Sequence, residues 1–500
     1  MRDVVTRAEE IVSGLGSGAI TSTTYPTACA ARLRDEHGQP VFPGALEWLR
    51  TNQHEDGSWG SVISSSQDRL ISTCAAIDVL AEETPTWART AMAAGVSYLN
   101  NLADWRYESH DELMAFELTA APLVDRARQL GVAVPDEVRS GLMRLRAEKL
   151  AKVPPGVLAA YSTPLLHAFD VLTELIPVST AARFALSDGS IAASPAATAK
   201  YWDITRDPAA LAYLRQASNS TTDGGLPECH AYEVFESAWV LYILTRAGIS
   251  SPAMRARLDW LARLAAKAPH GLGATEAFDH PDGDDTAVTA HVLLASGRHD
   301  HILCNALMEF EKEDHFCTYV YERRPSVSVT AHAIQALSQH DTRFSRQVEN
   351  CTKFLVDARH EGGWWTDKWH LSRYYPTAQA VFALAGTAPH ALAGTWKWLL
   401  ETQNTDGSWG DQAGKPEETA HATLAVDALA DHFGSPPNDA LRRAHQFLGS
   451  VLDDNDFAQM WLGRCLYLPK SCVQATLLAA YTVASRRLDR PICSNVRAAP

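Results

Sequence analysis

A weak repeat in the second half of the chain limits what this protein can fold into. Four segments each begin near a Thr-Ala pair and continue as an apolar helix, and their threonines are Thr286, Thr330, Thr377 and Thr419. These threonines are 44, 47 and 42 residues apart, which is enough chain for one helix out, a turn and one helix back. Each helix buries one apolar stripe and needs neighbours on both sides. The repeat therefore predicts helical hairpins that close into an α/α barrel.

Two matching segments lie far apart in the chain. WLRTNQHEDGSWG at 48–60 and WLLETQNTDGSWG at 398–410 both place a Gln before an Asp-Gly turn and a Trp after it. We interpret them as structural clasps at helix ends, and one copy in each half predicts two related barrels. Because Ser and Pro at 249–253 suit a domain boundary, we expect an all-α protein with one barrel over 1–250 and a second over 251–500. The first helix of the chain is free to pack on the second barrel.

The composition describes a folded protein with an acidic surface. The 500 residues are 46% hydrophobic and 21% charged, and 44 Lys plus Arg stand against 59 Asp plus Glu, a formal net charge of −15. Such a surface repels nucleic acid and anionic membranes. No stretch approaches the ~18 apolar residues of a membrane span, and the start of the chain lacks the pattern of a signal peptide. Nine scattered cysteines without a CxxC pair suit reduced thiols. We therefore expect a cytoplasmic protein without stable membrane insertion.

The motif that carries chemistry is Asp282-Gly283-Asp284-Asp285, with three carboxylates directly before a predicted helix. One Asp there would cap the helix and favour its dipole, but three exceed that need. Crowded carboxylates cannot all ionise cheaply, so one is held protonated with a raised pKa and can act as a general acid. A calcium-binding loop is the alternative, but it needs regularly spaced ligands and a Glu at its twelfth position.

Together with the Thr-Ala pair that follows, this motif resembles the DxDD signature of the class II terpene cyclases, and the two Gln/Trp segments resemble that family's other hallmark. Further stretches resemble the bacterial class II diterpene cyclases, such as copalyl and halimadienyl diphosphate synthases. They are YPTACAARL (25–33), MAFELTAAP (114–122), TPLLHAFDVL (163–172), GGWWTDKWHLSRYYPT (362–377) and WLGRCLYLPK (461–470). The resemblance covers nearly the whole chain. It departs from the family at residues 25–29, which read Tyr-Pro-Thr-Ala-Cys in place of Tyr-Asp-Thr-Ala-Trp.

The resemblance implies a γβ arrangement, with the acid in the second barrel and the active site in a cavity between the barrels. The implied enzyme is an isomerase that protonates the terminal alkene of geranylgeranyl diphosphate. It would close a bicyclic labdane, halimane or clerodane diphosphate and retain the diphosphate. Asp284 is the implied proton donor, polarised and oriented by Asp282 and Asp285. A drimenyl-type cyclase of farnesyl diphosphate and a squalene-hopene-like triterpene cyclase are the alternatives.

An aromatic-rich stretch suits the carbocation chemistry that the resemblance implies. Aromatic faces stabilise a cation without reacting with it, by about 0.5–2 kcal/mol per ring, although the same rings could simply pack in a helix seam. The expected substrate contacts are Trp364, Trp365, Trp369, Tyr374 and Tyr375. The base that ends the reaction is expected at His332 or Tyr467, which match family positions. A histidine satisfied within the core is the alternative for His332.

The diphosphate needs cations, and the resemblance implies magnesium beside it. The predicted diphosphate ligands are Lys200, Lys368 and Arg373. The predicted Mg²⁺ ligands are Glu108, Asp111 and Glu112. Solvated surface charges are the alternative for both sets. The implied partners are the prenyl diphosphate substrate and a downstream class I terpene synthase that acts on the product, and a homodimer is compatible with the family.

Other protein classes fit the sequence less well. A class I ionising cyclase needs two metal-binding boxes, and the closest string, residues 453–457, lacks the acid at its fifth position. A prenyltransferase β subunit shares the barrel but needs an Asp-x-Cys zinc segment that we do not find. A barrel glycosidase can also use paired carboxylates. A helical-repeat scaffold would leave the three-Asp turn without a role.

Overall fold

The protein is almost entirely helical over the residues that the computed structural model describes, which are 4–16, 19–102, 113–278, 280–298, 301–322, 324–340, 342–434 and 438–489. The α-helices are α1 (Val4–Ser13), α2 (Thr24–Ala31), α3 (Pro43–Thr51), α4 (Ser66–Leu80), α5 (Thr86–Asn100), α6 (Phe116–Gln129), α7 (Asp136–Leu150), α8 (Val157–Ala160), α9 (Val178–Arg183), α10 (Pro195–Thr205), α11 (Pro208–Thr221), α12 (Glu233–Arg246), α13 (Pro252–Ala265), α14 (Gly283–Ala295), α15 (His301–Ala306), α16 (Val327–Leu337), α17 (Ser345–Asp357), α18 (Tyr374–Thr387), α19 (Ala393–Glu401), α20 (Lys415–Phe433), α21 (Asn438–Val451) and α22 (Lys470–Asp489). The 3₁₀ helices are Pro164–Val171, Leu307–Phe310, Thr342–Phe344, Pro389–Leu392 and Gln412–Gly414. The strands are β1 (Ser22–Thr23), β2 (Leu226–Pro227), β3 (Trp461–Leu462) and β4 (Leu466–Tyr467), and they pair antiparallel as β1 with β2 and β3 with β4.

Six helices form a closed ring in the second half of the chain. Helix α12 contacts α14, and the contacts continue through α16, α18, α20 and α22 back to α12. Helices α13, α15, α17, α19 and α21 pack around this ring. An inner helix such as α16 is buried on every side, whereas the outer α17 buries only Cys351 and Leu355. This is the α/α barrel that the repeat predicted.

The repeated threonines hold the loops of this barrel. Each lies on an inner helix, and its hydroxyl oxygen accepts a hydrogen bond from a backbone N–H in the loop that leads to that helix. The donors are Leu272 to Thr286 (2.9 Å), Phe316 to Thr330 (3.1 Å), Trp365 to Thr377 (3.0 Å) and Trp409 to Thr419 (2.8 Å). A buried N–H without a partner is costly, so threonine at this place fixes how the chain enters each inner helix.

The first half contains a second ring. Helices α2, α4 and α6, the 3₁₀ helix Pro164–Val171 and α10 contact one another in that order, and α10 returns to α2. Thr73 accepts the N–H of Trp59 in the loop before its helix, as the threonines of the second barrel do, and Thr27 accepts the N–H of Leu226 in the strand β2. They are 46 residues apart, a spacing that could have identified the repeat in this half as well. The prediction of two helical barrels is confirmed.

The border between the two cores differs from the predicted boundary at residue 250. Helix α12 is an inner helix of the second barrel, and α1 packs on α13 and α22 of that barrel. The division into 1–250 and 251–500 is therefore wrong by one helix. Ser251 caps α13 by accepting the N–H of Met254, and Pro252 starts that helix. The Ser-Pro signal marks a turn within one barrel.

Both Gln/Trp segments are clasps at helix ends. The amide of Gln53 donates to the carbonyls of Gly57 and Ala91, each at 2.9 Å, and the indole of Trp59 donates to the carbonyl of Leu49 at 2.7 Å. The second segment repeats these bonds with Gln403 to Gly407 and Ala440, and Trp409 to Leu399. Each clasp therefore ties the end of one outer helix to its own turn and to the next outer helix.

The hairpin β3–β4 joins the two barrels. Arg464 lies between its strands, is fully buried, and donates to both oxygens of Asp170 at 2.7 and 2.8 Å. Its guanidinium also lies over the ring of Tyr25, and its backbone N–H donates to Glu228. A buried guanidinium is stable only when it is paired, so this contact fixes the hairpin of the C-terminal half within the first barrel. In the described ranges, no helix is both long and apolar enough to cross a membrane.

Candidate active site

The Asp282–Asp285 motif forms the first turn of the inner helix α14. The Oδ1 atom of Asp282 accepts the N–H groups of Asp284 (2.9 Å) and Asp285 (2.8 Å) and so caps the helix. Gly283 is required because a Cβ there would lie 2.5 Å from the carbonyl oxygen of Cys317. All three aspartates are less than 9% exposed. Asp282 therefore meets the capping need alone, and two buried carboxyl groups are left for another role.

Burial changes the protonation of this cluster. It raises the pKa of Asp282 to about 7. It also raises the pKa of Asp285 well above its usual range, and the neighbouring carboxylates of Asp282 and Asp284 raise it further. The Oδ1 atom of Asp285 is buried without a hydrogen-bond partner among the described residues. The cluster therefore holds at least one proton at neutral pH, as crowded carboxylates predict.

Asp284 is hydrogen bonded to the predicted base, His332. The Oδ1 atom of Asp284 lies 2.6 Å from Nδ1 of His332, and the other ring nitrogen, Nε2, lies 3.0 Å from Oε1 of Gln379. The hydroxyl of Tyr242 lies 2.8 Å from the same amide oxygen. Since an amide oxygen only accepts, Nε2 of His332 carries a hydrogen. Both ring nitrogens are engaged, so the role of terminating base does not fit His332. Its contacts are those of a residue that positions the acid.

A cavity lies inside the second barrel, next to Tyr242 and Gln379 of this hydrogen-bonded group. Its lining residues are Trp239, Tyr242, Ile243, Tyr375, Gln379, His421, Trp461, Cys472 and Thr476. Among them, Tyr375 contacts two of the aromatic residues: its hydroxyl accepts the indole N–H of Trp239 at 3.4 Å, and its ring centroid is 5.0 Å from that of Trp461. Several aromatic side chains therefore line this cavity, and Gln379, which also lines it, is hydrogen bonded to His332. Trp239, Tyr242 and Trp461 were not among the predicted site residues.

Two of the other predicted aromatic residues, Trp369 and Tyr374, lie in different places: one near the acidic motif and one against an outer helix of the barrel. The indole of Trp369 donates to the hydroxyl of Thr318 at 2.8 Å, and the carbonyl of Thr318 accepts the N–H of Gly283 within the acidic motif. Trp369 therefore lies beside the acid. Tyr374 stacks on Trp398 of the outer helix α19, with centroids 4.9 Å apart, so it faces away from the cavity.

Trp364 and Trp365 belong to a third clasp. The indole of Trp365 donates to the carbonyl of Leu355 at 2.8 Å, ten residues earlier, as in the two Gln/Trp clasps. Arg359 takes the place of the Gln and donates to the carbonyl of Ala391. Trp364 stacks on the ring of His360 outside this clasp. The structure gives both tryptophans packing roles in place of the predicted substrate contacts, because the Gly-Gly-Trp-Trp turn repeats the clasp geometry without its signature.

The predicted diphosphate ligands come from both barrels and differ in their surroundings. Lys368 donates to Glu322 at 2.7 Å, which partly neutralises it, although it lies next to Trp369. Arg373 is exposed over the ring of Trp364, and Lys200 lies on α10 of the first barrel.

Tyr467, the second predicted base, lies on β4 of the hairpin between the barrels. Burial raises the pKa of its phenol well above the usual range. The hydroxyl therefore stays protonated at neutral pH and is a weak proton acceptor.

The predicted magnesium ligands Glu108, Asp111 and Glu112 lie outside the described residues. In the part of the chain that the structure describes, no group of three or more His, Cys, Asp or Glu side chains could hold a metal ion. The magnesium site therefore stays a prediction.

Known proteins resemble the chain along its whole length. Residues 320–432 match the squalene-hopene cyclase C-terminal domain family. The type B diterpene cyclase of Mycobacterium tuberculosis is 32% identical, over 94% of this chain and 96% of its own. The labda-7,13-dienyl diphosphate synthase of Streptomyces clavuligerus is 30% identical, over 98% of this chain and 95% of its own. The solved structure of the ent-copalyl diphosphate synthase from Streptomyces platensis superposes with a TM-score of 0.78 at 26% identity, over 96% of this chain and 99% of that one. The similarity therefore spans both barrels.

Proposed function

The chain belongs to the class II diterpene cyclases, isomerases of the copalyl diphosphate synthase type, and on that premise we propose that it cyclises geranylgeranyl diphosphate with Asp284 as the proton donor. The relatives' names include diphosphate synthases, which supports a product that retains its diphosphate. The proposed product is a bicyclic diphosphate of the labdane, halimane or clerodane type. A farnesyl diphosphate cyclase of the drimenyl type is the second candidate, and a squalene-hopene-like cyclase the third.

The observation that carries the proposal is the hydrogen bond between Asp284 and His332. Nε2 of His332 donates to Gln379, so the ring presents Nδ1 to Asp284. When Nδ1 also carries a hydrogen and donates to Oδ1, the transferable proton of the Asp284 carboxyl group lies on Oδ2. The proton moves from the carboxyl group to the terminal alkene carbon, whose π electrons form the new C–H bond. The cation left on the neighbouring carbon is then attacked by the internal alkenes in turn. Asp282 and Asp285 lie beside the donor Asp284, and because burial raises the pKa of both, these two carboxyl groups share negative charge and at least one further proton.

The aromatic lining supports the cations that follow. The faces of Trp239, Tyr375 and Trp461 each offer about 0.5–2 kcal/mol of cation stabilisation without forming a bond. All three side chains are less than 9% exposed, so little water is at hand to capture the cation early. The carboxylates of Glu108, Asp111 and Glu112 are our proposed ligands for Mg²⁺, whose charge would offset that of the diphosphate.

One assay tests the substrate and the reaction. Purified protein is incubated separately with geranylgeranyl diphosphate, farnesyl diphosphate and squalene, the diphosphates are cleaved, and the products are identified by mass spectrometry and NMR. We expect a bicyclic diphosphate from geranylgeranyl diphosphate. Turnover of farnesyl diphosphate or squalene alone would replace the proposal by the corresponding alternative.

The acid is tested by Asp284→Asn, which keeps the shape of the side chain but cannot donate the proton. Turnover should fall below a few per cent of wild type while the melting temperature holds or rises, since one buried charge conflict is removed. Asp259→Asn is the matched control. Asp259 lies on the outer helix α13, away from the acidic motif, and forms an exposed ion pair with Arg298. This variant should retain wild-type turnover. A folded Asp284→Asn variant with substantial activity would show that another group is the acid.

A further inference from the structure

Glu417 is a buried carboxylate that the proposed mechanism does not use. It lies on the inner helix α20 and is 2% exposed. Its Oε1 atom lies 3.1 Å from Nε2 of His370 and 3.0 Å from Nε1 of Trp461. Its Oε2 atom is buried without a hydrogen-bond partner among the described residues. A carboxylate with one oxygen left unbonded in the core is costly, which suggests that it serves a purpose other than stability.

The surroundings keep Glu417 ionised. Nδ1 of His370 accepts the backbone N–H of Ser372 at 3.1 Å, so its Nε2 carries a hydrogen and donates to Glu417. Burial raises the pKa of Glu417, but His370 and then His421 outweigh it and lower the pKa to about 2. A full negative charge therefore lies behind the aromatic wall formed by Trp461.

His421 follows Glu417 by one helical turn and lines the cavity. Its Nε2 lies 3.6 Å from Oε1 of Glu417, too far for a hydrogen bond but close enough to direct the Nε2 hydrogen towards the carboxylate. Neither ring nitrogen has a hydrogen-bond partner among the described residues, although the side chain is only 4% exposed. Burial lowers the pKa of His421, so the ring is neutral and one nitrogen keeps a free lone pair.

The ring therefore has the features of a general base. A neutral imidazole with a carboxylate behind one nitrogen and a free lone pair on the other is the arrangement that accepts a proton and stabilises the resulting imidazolium. His421 also meets the ring of Tyr375 edge-on, with centroids 5.2 Å apart. Tyr375, Gln379 and His421 line the same cavity, and Gln379 is linked to Asp284 through the ring of His332.

We propose that His421, oriented by Glu417, is the base that ends the cyclisation. This inference rests on the proposed function. In the final step the C–H bond next to the last cation breaks, its electron pair becomes the π bond of the product alkene, and the proton passes to His421. The imidazolium is stabilised by Glu417 and later releases its proton. One proton is gained from Asp284 and one is lost to His421 in each turnover, as an isomerisation requires.

The test is His421→Phe, which keeps a ring in the cavity wall but removes the lone pair. Because protonation by Asp284 comes first, substrate consumption should stay within tenfold of wild type. At least half of the product should be new, either hydroxylated after capture by water or with the alkene at another position. Products are compared by gas chromatography–mass spectrometry and NMR after removal of the diphosphate.

A second variant separates the base from the shape of the cavity. Glu417→Gln keeps an oxygen for His370 and Trp461 but removes the charge behind His421, and it should shift the products in the same direction. His445→Phe is the matched control, since His445 stacks on Tyr481 on the outer side of the barrel and does not line the cavity. It should make the wild-type product.

Two results would overturn the inference. Wild-type products from both His421→Phe and Glu417→Gln would show that the proton leaves by another route. A folded His421→Phe variant that consumes no substrate would place His421 before or at the protonation step. Failure of the wild-type protein to convert any prenyl diphosphate would instead remove the proposed function itself, and the inference with it.

Discussion

Replacing His332 by Phe distinguishes a residue that positions the acid from one that ends the reaction. The substitution removes the 2.6 Å bond to Asp284 and the 3.0 Å bond to Gln379. It keeps a ring where His332 meets Trp239 and Tyr242 edge-on, at 5.7 and 5.5 Å between centroids. The cavity is thereby changed little, and the acid loses its hydrogen-bond partner.

The magnitude follows from the bond that is lost. A hydrogen bond to a charged group is worth about 1.5–3 kcal/mol. At about 1.4 kcal/mol for each factor of ten, the loss of this bond in the transition state corresponds to a fall in kcat of about 12- to 140-fold. Because His332 does not contact the substrate in this arrangement, KM and the product should be unchanged. Steady-state kinetics with product analysis measure all three quantities.

The control lies one bond further from the acid. Tyr242→Phe removes a hydroxyl that lies 2.8 Å from Oε1 of Gln379 and 2.9 Å from Oε1 of Gln335. It can donate to one of them at a time, a neutral hydrogen bond worth about 0.5–1.5 kcal/mol. Its kcat should fall by no more than about tenfold. The reasoning is refuted if His332→Phe keeps the wild-type rate and makes a different product, because His332 would then be the terminating base.

Two further predictions concern stability. Arg464→Met leaves Asp170 buried without its partner and should cost about 3–5 kcal/mol in the free energy of unfolding, measured by urea denaturation. Arg487→Met breaks two more exposed pairs, with Asp427 and Asp431, and should cost about 1 kcal/mol or less for each. Because burial raises the pKa of Asp282 to about 7 and also raises the pKa of Asp285, the native state binds more protons than the unfolded chain above about pH 4. Their contribution to stability is present in acid and is lost as the pH rises through about 7, so Tm should fall from about pH 5 to about pH 8, and Asp285→Asn should flatten that fall.

Local patterns predicted the barrels well because the repeat and the clasps rest on bonds within one hairpin. The boundary between the cores was harder to predict. Ser251 and Pro252 form a strong start signal for a helix in either barrel. The local sequence of α12 also does not show whether it is an inner helix of the second barrel or the last helix of the first. Arg464 is similar: its partner Asp170 lies 294 residues earlier, so no spacing in the sequence connects them.

The proposed role of His332 depends on which partner each of its two ring nitrogens binds, and the sequence alone does not show this. One repeat separates Asp284 from His332, and that spacing correctly places the histidine near the acid. It cannot show that Nε2 is already bound to Gln379, another 47 residues along the chain. Because of that hydrogen bond both ring nitrogens of His332 are engaged, and we therefore propose it as a positioning residue in place of the predicted base.

The repeated threonines carry more information than their loop bonds alone. Counted from each threonine, Asp284, Tyr375 and Glu417 stand two residues before it, and His332, Gln379 and His421 stand two residues after it. Positions four residues apart share one face of a helix, and in a closed ring of inner helices the same face turns to the same side of the cavity. The proposed positioning residue His332 and the proposed base His421 thus occupy equivalent places on α16 and α20, and the proposed acid lies one helical turn earlier on α14. In such a barrel the threonine marks the register, and the residues two before and two after it are where the chemistry is to be sought.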